Sequence, residues 1–282
     1  RADYGYKVED PGLTNAFTNG AALGNAVRYH DVSTSATANA NFGRISVGVG
    51  GAYQHQTFND TRDAAGVVRS LAFRDNDKGT ASARLGYEIG PGMRIFAQPT
   101  YDVRHFTHAP RLSSTGYSVV GGLSMEMFRL LNGEVSVGYM ERNFNSLNFG
   151  KVGGLALNAR LMWHPTNLVT VSLDAGRDFS ASVTPSAGNP LGSVFFTTTA
   201  GAKVDYELMR NFILSTRFAF TDYAYVRDTR HTQDYTVGGT ATYLFNRFFS
   251  GSLDYRHTTS HSTVAASNYR RNVVTASVKG QF

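Results

Sequence analysis

The chain of 282 residues contains no cysteine, so neither a disulfide framework nor a cysteine-ligated metal site is available to it. Charged residues make up only 17% of the sequence, and no stretch reaches the roughly 18 consecutive apolar residues that a transmembrane helix requires. The net charge is +6, but the basic residues form no run, which argues against binding to nucleic acid. The opening RADYGYKVED contains no apolar secretory signal, and we expect an upstream segment to precede it.

The sequence is rich in glycine, with 29 residues, and in aromatics, with 19 Phe and 15 Tyr, and its polar and apolar residues alternate. In EVSVGYMERNF, for example, Val135, Val137 and Tyr139 alternate with polar or small residues. The pattern predicts about fourteen strands of the length that crosses a bilayer when tilted. They are Ala2–Val8, His30–Asn41, Arg44–Thr57, Asp77–Glu88, Arg94–Thr107, Ser114–Met127, Glu134–Phe144, Gly153–Trp163, Leu168–Phe179, Val194–Glu207, Phe212–Tyr225, Asp234–Phe245, Phe249–Thr259 and Arg271–Phe282.

Short and long connections alternate between these strands, as in an up-and-down sheet whose two ends face different environments. The short ones are Ile89–Met93, Phe128–Gly133, His164–Asn167, Leu208–Asn211 and Phe245–Phe248. The long ones are Glu9–Tyr29, Phe58–Asn76, His108–Ser113, Ser146–Val152, Ala181–Ser193, Val226–Gln233 and Ser260–Arg270. We expect Glu9–Tyr29 and Phe58–Asn76 to plug the lumen or bind a partner.

A soluble β-sandwich or barrel would show the same alternation, but its polar face would be rich in Lys and Glu. Here that face carries Gly, Ser, Thr and Asn with isolated charges, which is typical of a confined, solvated lumen. Aromatic residues also cluster at strand ends beside the short turns, as in an interfacial girdle: Phe128, Trp163, Tyr206, Phe212, Tyr243, Phe245, Phe248 and Phe249. We therefore predict an all-β, transmembrane, up-and-down antiparallel β-barrel that forms one domain over residues 1–282.

Short turns face the periplasm in outer-membrane barrels, and an even number of strands then places both termini there. If an upstream segment is missing, the whole barrel has 16–18 strands by this interpretation, since further hairpins add strands in pairs.

Several segments carry a resemblance to a known family. They are ASARLGYEIGPGMRIFAQPTYDVRHF, LLNGEVSVGYMERNF, VGGLALNARLMWHPTNLVTVSLDAGRDF, KVDYELMRNFILSTRFAFTDY, GGTATYLFNRFFSGSLDYRH and RRNVVTASVKGQF. They resemble the outer-membrane barrels called Putative beta-barrel porin 2, common in alphaproteobacteria. The resemblance implies an outer-membrane pore. Because such proteins are often encoded with exopolysaccharide genes, it also implies an exit for an exopolysaccharide or another hydrophilic solute and a periplasmic polysaccharide-export protein as a partner. The family has no settled catalytic or cofactor-binding residues.

The charged residues in the polar phase of the strands are the candidate lumen-lining residues. Their functional interpretation is selectivity for an anionic solute or acidic glycan, and the structural alternative is mutual ion pairing, as for Lys203 with Asp205. Phe96 and Tyr223 share this phase and either stack on sugar rings or fill the wall. The candidates are Arg84, Arg94, Arg104, Arg160, Lys203, Arg217, Arg256, Lys279, Glu88, Asp102, Glu126, Asp174, Asp205 and Asp254.

The sequence gives little support to an enzyme, a metal site or a cofactor. It has eight histidines, but surface and loop positions explain them better than a metal site, which would need three or four to converge. No G-x-S-x-G motif occurs, and the paired glycines of GGAYQ and VGGLA precede no helix. The alternative to a pore is a non-conducting barrel that docks a periplasmic or cell-surface partner.

The final segment, NVVTASVKGQF, is predicted to be the last strand, with Val274, Ala276, Val278, Gly280 and Phe282 facing lipid. The terminal Phe282 resembles the aromatic ending that the outer-membrane insertion machinery recognises. Besides the membrane lipid, we therefore expect this machinery to be a partner of the C-terminal strand.

Overall fold

The computed structural model describes residues 1–8, 17–18, 21–22, 27–63, 65–127, 130–145, 150–182, 193–263 and 268–281. Fourteen of its strands form one antiparallel sheet in chain order, while β2 with β3 and β6 with β7 form two small separate ribbons. The strands are β1 (Ala2–Val8), β2 (Phe17–Thr18), β3 (Ala21–Ala22), β4 (Arg28–Phe42), β5 (Ile45–Phe58), β6 (Thr61–Arg62), β7 (Val68–Arg69), β8 (Asn76–Gly90), β9 (Met93–Phe106), β10 (Ser114–Met127), β11 (Leu131–Phe144), β12 (Lys151–Thr166), β13 (Val169–Ser182), β14 (Ser193–Met209), β15 (Phe212–Tyr225), β16 (His231–Leu244), β17 (Phe249–Ser262) and β18 (Tyr269–Gly280).

All fourteen strands predicted from the alternation are confirmed, and most differ from the observed ones by one to three residues at an end. The last strand was predicted to continue to Phe282, but it ends at Gly280. Because Gly280 pairs with Phe249, the first residue of β17, no residue of β17 remains to pair with Gln281. The Gln281 amide instead donates to the Phe248 carbonyl at 2.8 Å, and Phe282 lies outside the described residues.

The longer connections contain structure that the period-two pattern does not reveal. The segment between β5 and β8 contains β6, β7 and a 3-10 helix at Ala72–Arg74, and Pro110–Leu112 forms another between β9 and β10. Among the described residues, no helix is long and apolar enough to cross a membrane. The predicted connections Glu9–Tyr29, Ser146–Val152 and Ala181–Ser193, and the girdle residue Phe128, lie partly or wholly outside the described part of the chain.

Strand register divides the sheet into two faces. The apolar face carries exposed Val, Leu, Ile, Tyr and Phe side chains from every strand, for example Val49, Leu85 and Val274, at 56%, 59% and 68% exposure. The polar face carries the intervening Ser, Thr, Asn, Gly and charged residues. A large exposed apolar surface of this kind needs lipid or protein to cover it.

The sheet is bounded by β1 and β18. In the described residues β1 pairs with β4 and β18 with β17, and the strand order joins neither edge strand to the other. Both edge strands run with the chain ends directed toward the short turns, as an even number of strands requires.

One part of the sheet departs from the regular arrangement, where β13 separates from β12. Their pairing extends from Thr166–Val169 to Leu157–Arg177 and goes no further, although β12 continues to Lys151 and β13 to Ser182. Beyond Arg177, β13 stays paired with β14 alone. The end of this β13–β14 hairpin is therefore free to leave the plane of the sheet.

The hairpin end packs across the polar face and closes an apolar cluster there. Phe179 and Val194 belong to the apolar phase of their strands, yet both are buried with polar-face residues of β9, β11 and β12. Fully exposed apolar side chains inside a solvated lumen would be costly, and this cluster removes several from water together. Its buried members are Phe106, Leu112, Met140, Phe144, Val152, Ala156, Phe179 and Val194.

Candidate functional site on the polar face

The fourteen charged candidates share one face. Directly opposed residues of neighbouring strands have the same orientation, and the register links the candidates in this way, as in Glu88 with Arg94, Arg160 with Asp174, and Lys203 with Arg217. Following the pairing from β8 to β18 places the complete set on the polar face: Arg84, Arg94, Arg104, Arg160, Lys203, Arg217, Arg256, Lys279, Glu88, Asp102, Glu126, Asp174, Asp205 and Asp254.

Some of these side chains are neutralised by one another or by neighbours. Lys203 binds Asp205 at 2.8 Å, as the sequence predicted, and Arg217 pairs with Asp254. Arg84 binds Glu134 at 2.6 Å and Arg142 binds Asp102 at 2.6 Å. In the described chain no carboxylate lies within ion-pair distance of the remaining basic candidates, which are Arg94, Arg104, Arg160, Arg256 and Lys279.

A cavity of about 620 Å³ lies on this face between β8 and β14. This volume falls in the range of small-molecule binding sites. Two ion pairs stand on its wall, Arg84–Glu134 and Arg142–Asp102, with amide and hydroxyl groups between them. The other polar side chains of its lining are Gln98, Thr100, Tyr117, Ser118, Ser136, Glu141, Asn158, Arg177, Asp178, Thr197 and Thr199.

Much of the apolar lining of the cavity belongs to the end of the β13–β14 hairpin and to the apolar cluster. Met140, Ala156 and Phe179 line the cavity and are also members of the buried cluster. The rings of Phe179 and Phe196 are 4.5 Å apart, and the Arg177 guanidinium lies 4.6 Å from the centre of the Phe196 ring. The cavity therefore has one hydrogen-bonding wall and one apolar wall.

Phe96 supports the charged wall. The Arg84 guanidinium lies over its ring at 3.4 Å from the centroid, a cation–π contact that holds Arg84 near Glu134 and Gln98. A Cβ at Gly122 would lie 2.5 Å from this ring, so only glycine lets the ring lie flat against the strand. Between Arg84 and Gly122, Phe96 fills the wall, which was one of the two alternatives that its sequence position left open.

Glu134, Arg142 and the hairpin residues were absent from the candidates chosen from the sequence. Glu134 and Arg142 stand in the polar phase of EVSVGYMERNF, so the alternation already placed them correctly. Phe179 and Phe196 gave no such signal, because their phase indicates the lipid side. Their position on the polar face depends on the separation of β13 from β12, which is a tertiary event.

Three or more metal-binding side chains do not converge anywhere in the part of the chain that the structure describes. His231 Nε2 lies 2.7 Å from the Asp222 carboxylate, and His55 Nδ1 lies 2.7 Å from the Asp77 carboxylate.

Comparison with known proteins agrees with this architecture. The family model of Putative beta-barrel porin 2 matches residues 1–282. The chain belongs to this family. Among curated proteins, no sequence matches the chain. The assignment of the chain to the porins therefore rests on the family model.

Two solved structures are similar to this chain. The ferric yersiniabactin uptake receptor of Yersinia pestis is 13% identical with a TM-score of 0.50, over 90% of this chain and 47% of that chain. The FrpB iron transporter of Neisseria meningitidis is 8% identical with a TM-score of 0.49, over 100% and 62% of the two chains. The porin thus spans about half the length of the first of these. Its fold is that of the outer-membrane β-barrels, and its apolar face is the lipid-facing surface.

Proposed function

We propose that the porin forms the wall of an outer-membrane pore whose cavity under the β13–β14 hairpin selects the solute. The observation that carries the proposal is the pair of Arg–carboxylate contacts on the cavity wall, opposite the apolar end of the hairpin. A wide, unobstructed lumen would need neither a shaped cavity nor an apolar cover. A polar channel narrowed at one place is the arrangement by which pores discriminate among solutes.

The chemistry of the cavity favours a hydroxylated solute, such as a sugar unit of an exopolysaccharide. Guanidinium and carboxylate groups bind neighbouring hydroxyls through parallel hydrogen bonds, with Arg142 donating and Asp102 accepting. The apolar wall at Met140 and Phe179 suits the C–H face of a sugar ring. The five basic candidates without a carboxylate partner exceed the three acidic ones, Glu88, Glu126 and Asp174, that are likewise without an ion pair among the described residues. This excess adds a preference for anionic solutes.

Orientation follows from the connections in this proposal. The short turns and both chain ends face the periplasm, and the long connections face outward. A periplasmic polysaccharide-export protein would then deliver its product at the short-turn end, and the solute would leave past the β13–β14 hairpin.

Conductance in planar lipid bilayers tests the proposal. We expect ion-conducting events that are reduced in amplitude or interrupted by an acidic oligosaccharide, and less so by a neutral one of equal length. Arg142→Gln should weaken this block, because Asp102 would then lack its guanidinium partner. A barrel that conducts ions but is indifferent to every oligosaccharide would contradict the solute-selecting role while leaving the pore intact.

A second candidate function is a non-conducting barrel that docks a partner. The apolar cluster favours it, because Phe179 and Val194 are packed against the polar face of β9, β11 and β12 at 8% and 0% exposure and would narrow the lumen. Absence of conductance at all voltages, together with a stoichiometric partner isolated from native membranes, would establish this alternative.

A further inference from the structure

Six of the eight histidines lie on the same face of the sheet and at the same end of their strands. The pore itself does not require this distribution. His30, His55, His105, His231, His257 and His261 all lie on the apolar face, in the half of their strands nearest the long connections. Histidine is not a residue of the lipid-facing band in the rest of this sheet. This asymmetry points to a function at one boundary of that band.

Two of these histidines occur in the same sequence motif and the same geometry. In β5 the motif is Tyr53-Gln-His55-Gln-Thr57, where Asp77 of the next strand stands directly opposite His55. Its carboxylate accepts from the Tyr53 hydroxyl at 2.5 Å and contacts His55 Nδ1 at 2.7 Å. The Thr57 hydroxyl lies 3.0 Å from His55 Nε2.

In β17 the motif is Tyr255-Arg-His257-Thr-Thr259, and here Asn272 stands directly opposite the histidine. The Asn272 side-chain oxygen accepts from Tyr255 at 3.0 Å and contacts His257 Nδ1 at 2.7 Å. The Thr259 hydroxyl lies 3.0 Å from His257 Nε2. The two sites differ mainly in one group, a charged carboxylate at Asp77 and a neutral amide at Asn272.

Both motifs lie at the height of the lipid headgroups. A strand tilted by about 40° rises about 2.5 Å per residue along the barrel axis, so an apolar band of about 25 Å takes about ten residues. Counted from Phe249, beside the short-turn girdle, ten residues lead to Thr259. Counted from Ile45, beside the Gly43 turn, they lead to His55.

The β17 site has the charge to attract an anion. Arg270 stands opposite Thr259, between His257 and His261 on the same face, so the three cationic or titratable groups form a triangle. Arg270 is exposed, and the apolar-face positions of β16, β17 and β18 contain no carboxylate. The neighbouring groups on β16 are Tyr235, whose ring lies 6.4 Å from that of His261, and Gln233. The next strand, β15, carries Asp222 on this face, and its carboxylate contacts His231 and Gln233.

We propose that His257, His261 and Arg270 form a binding site for the phosphate of a membrane lipid headgroup, with Tyr235 and Tyr255 at the interface below it. Arg270 supplies a permanent charge, and the two histidines flank it on the same face. Asn272 orients His257 without adding a competing negative charge. At the β5 motif, Asp77 stands between His55 and His105 and cancels this attraction.

Spin-labelled lipids in reconstituted vesicles test the proposal. The porin would be placed in phosphatidylcholine vesicles with traces of spin-labelled phosphatidylglycerol or phosphatidylcholine, and the protein-bound fraction of each label measured. Phosphatidylglycerol carries one net negative charge at its phosphodiester at about pH 7, and phosphatidylcholine carries no net charge. At about pH 7 we expect phosphatidylglycerol to be preferred by about fivefold, the effect of one arginine charge near the membrane surface.

The triple variant H257Q/H261Q/R270Q should lose the preference. A preference near one in the unaltered porin, or a preference unchanged in the triple variant, would overturn the proposal. Circular dichroism and heat-modifiable gel mobility establish that each variant is folded, since all three changes lie on the exposed face. An excess of inorganic phosphate in solution should leave the preference unaltered, and competition by it would assign the site to a free anion instead.

The two motifs provide a matched pair of controls. Asn272→Asp should reduce the preference, and Asp77→Asn should increase it, because each exchanges a charge for an amide of nearly the same shape. Equal effects of the two exchanges, in the same direction, would contradict a local electrostatic site. Conductance is expected to remain the same in both variants, which separates this site from the pore.

Discussion

The ring of Phe196 lies against Gly154, where a Cβ would sit 2.7 Å from the ring's Cε1 atom. The two residues belong to β14 and β12, which are not neighbours in the sheet, so their contact fastens the hairpin across the polar face. Because Gly154 has no side chain, the Phe196 ring can pack directly against the β12 backbone.

Replacing Gly154 by valine should therefore push the hairpin away from the wall. We expect a larger single-channel conductance than in the unaltered porin, because the Phe196 ring cannot shift without moving the apolar cluster. The matched control is Gly79→Val, since Gly79 has open space at its Cβ position. Equal conductance in the two variants would indicate that the hairpin does not narrow the conducting path.

Charge removal on the cavity wall should change ion selectivity. In Glu134→Gln, Arg84 keeps its contact with Phe96 but loses its carboxylate, so the wall gains one net positive charge. We expect the anion-to-cation permeability ratio to rise by up to about fivefold, because a unit charge at 4 Å acts with about 1 kcal/mol in water. Reversal potentials in a salt gradient measure this ratio, and Asp102→Asn should shift it in the same direction.

The single tryptophan reports the position of the girdle. Trp163 lies on the apolar face next to the turn between β12 and β13 and is 46% exposed. In reconstituted vesicles its emission should be blue-shifted and quenched more by lipids brominated near the headgroup than by those brominated near the chain ends. Strong quenching by aqueous iodide instead would contradict a lipid-facing girdle at this end.

Acidification should loosen the connection between β5 and β8. Asp63 accepts the backbone amides of Val67 and Ala65 and binds Arg69, and these contacts, that of Val67 first, lower the pKa of its carboxyl below the ordinary 3.8. A lowered pKa in the folded state means that the stabilisation is complete above pH 3.8 and is lost as the pH falls through the folded pKa.

The amide proton shifts of Ala65 and Val67 should accordingly titrate together, with a midpoint below 3.8. The Asp63→Asn variant should show no such titration. A midpoint at or above the ordinary value would mean that the carboxylate does not hold this connection in the membrane-bound porin.

Much of the fold could be predicted because each strand places alternate side chains on an apolar, lipid-facing face and on a polar face. Alternation over a strand such as Phe212–Tyr225 is a direct record of that environment, and this strand was predicted with its observed bounds. The charged candidates followed from the same record, since register keeps every polar phase on one side. Phe282, by contrast, lies outside the described residues, and its part in insertion stays a prediction.

What the alternation does not contain is the relation between strands that are far apart in the chain. Phe179 reads as lipid-facing from its phase and lies on the polar face only because β13 leaves β12 beyond Arg177. The Arg84–Glu134 pair likewise joins β8 to β11 across two intervening strands. Such contacts depend on the curvature of the assembled sheet, which no local pattern encodes.

The apolar cluster also has a kinetic meaning. Each strand of the main sheet pairs with the strands of that sheet that come before and after it along the chain. The sheet can therefore grow one hairpin at a time with small loop-closure costs. The cluster brings together Phe106, Leu112 and Val194 from different thirds of the chain, and we expect it to form after the strands between them. Substitutions in this cluster should therefore speed unfolding and leave the rate of assembly nearly unchanged, because its contacts are absent from the early, rate-limiting steps.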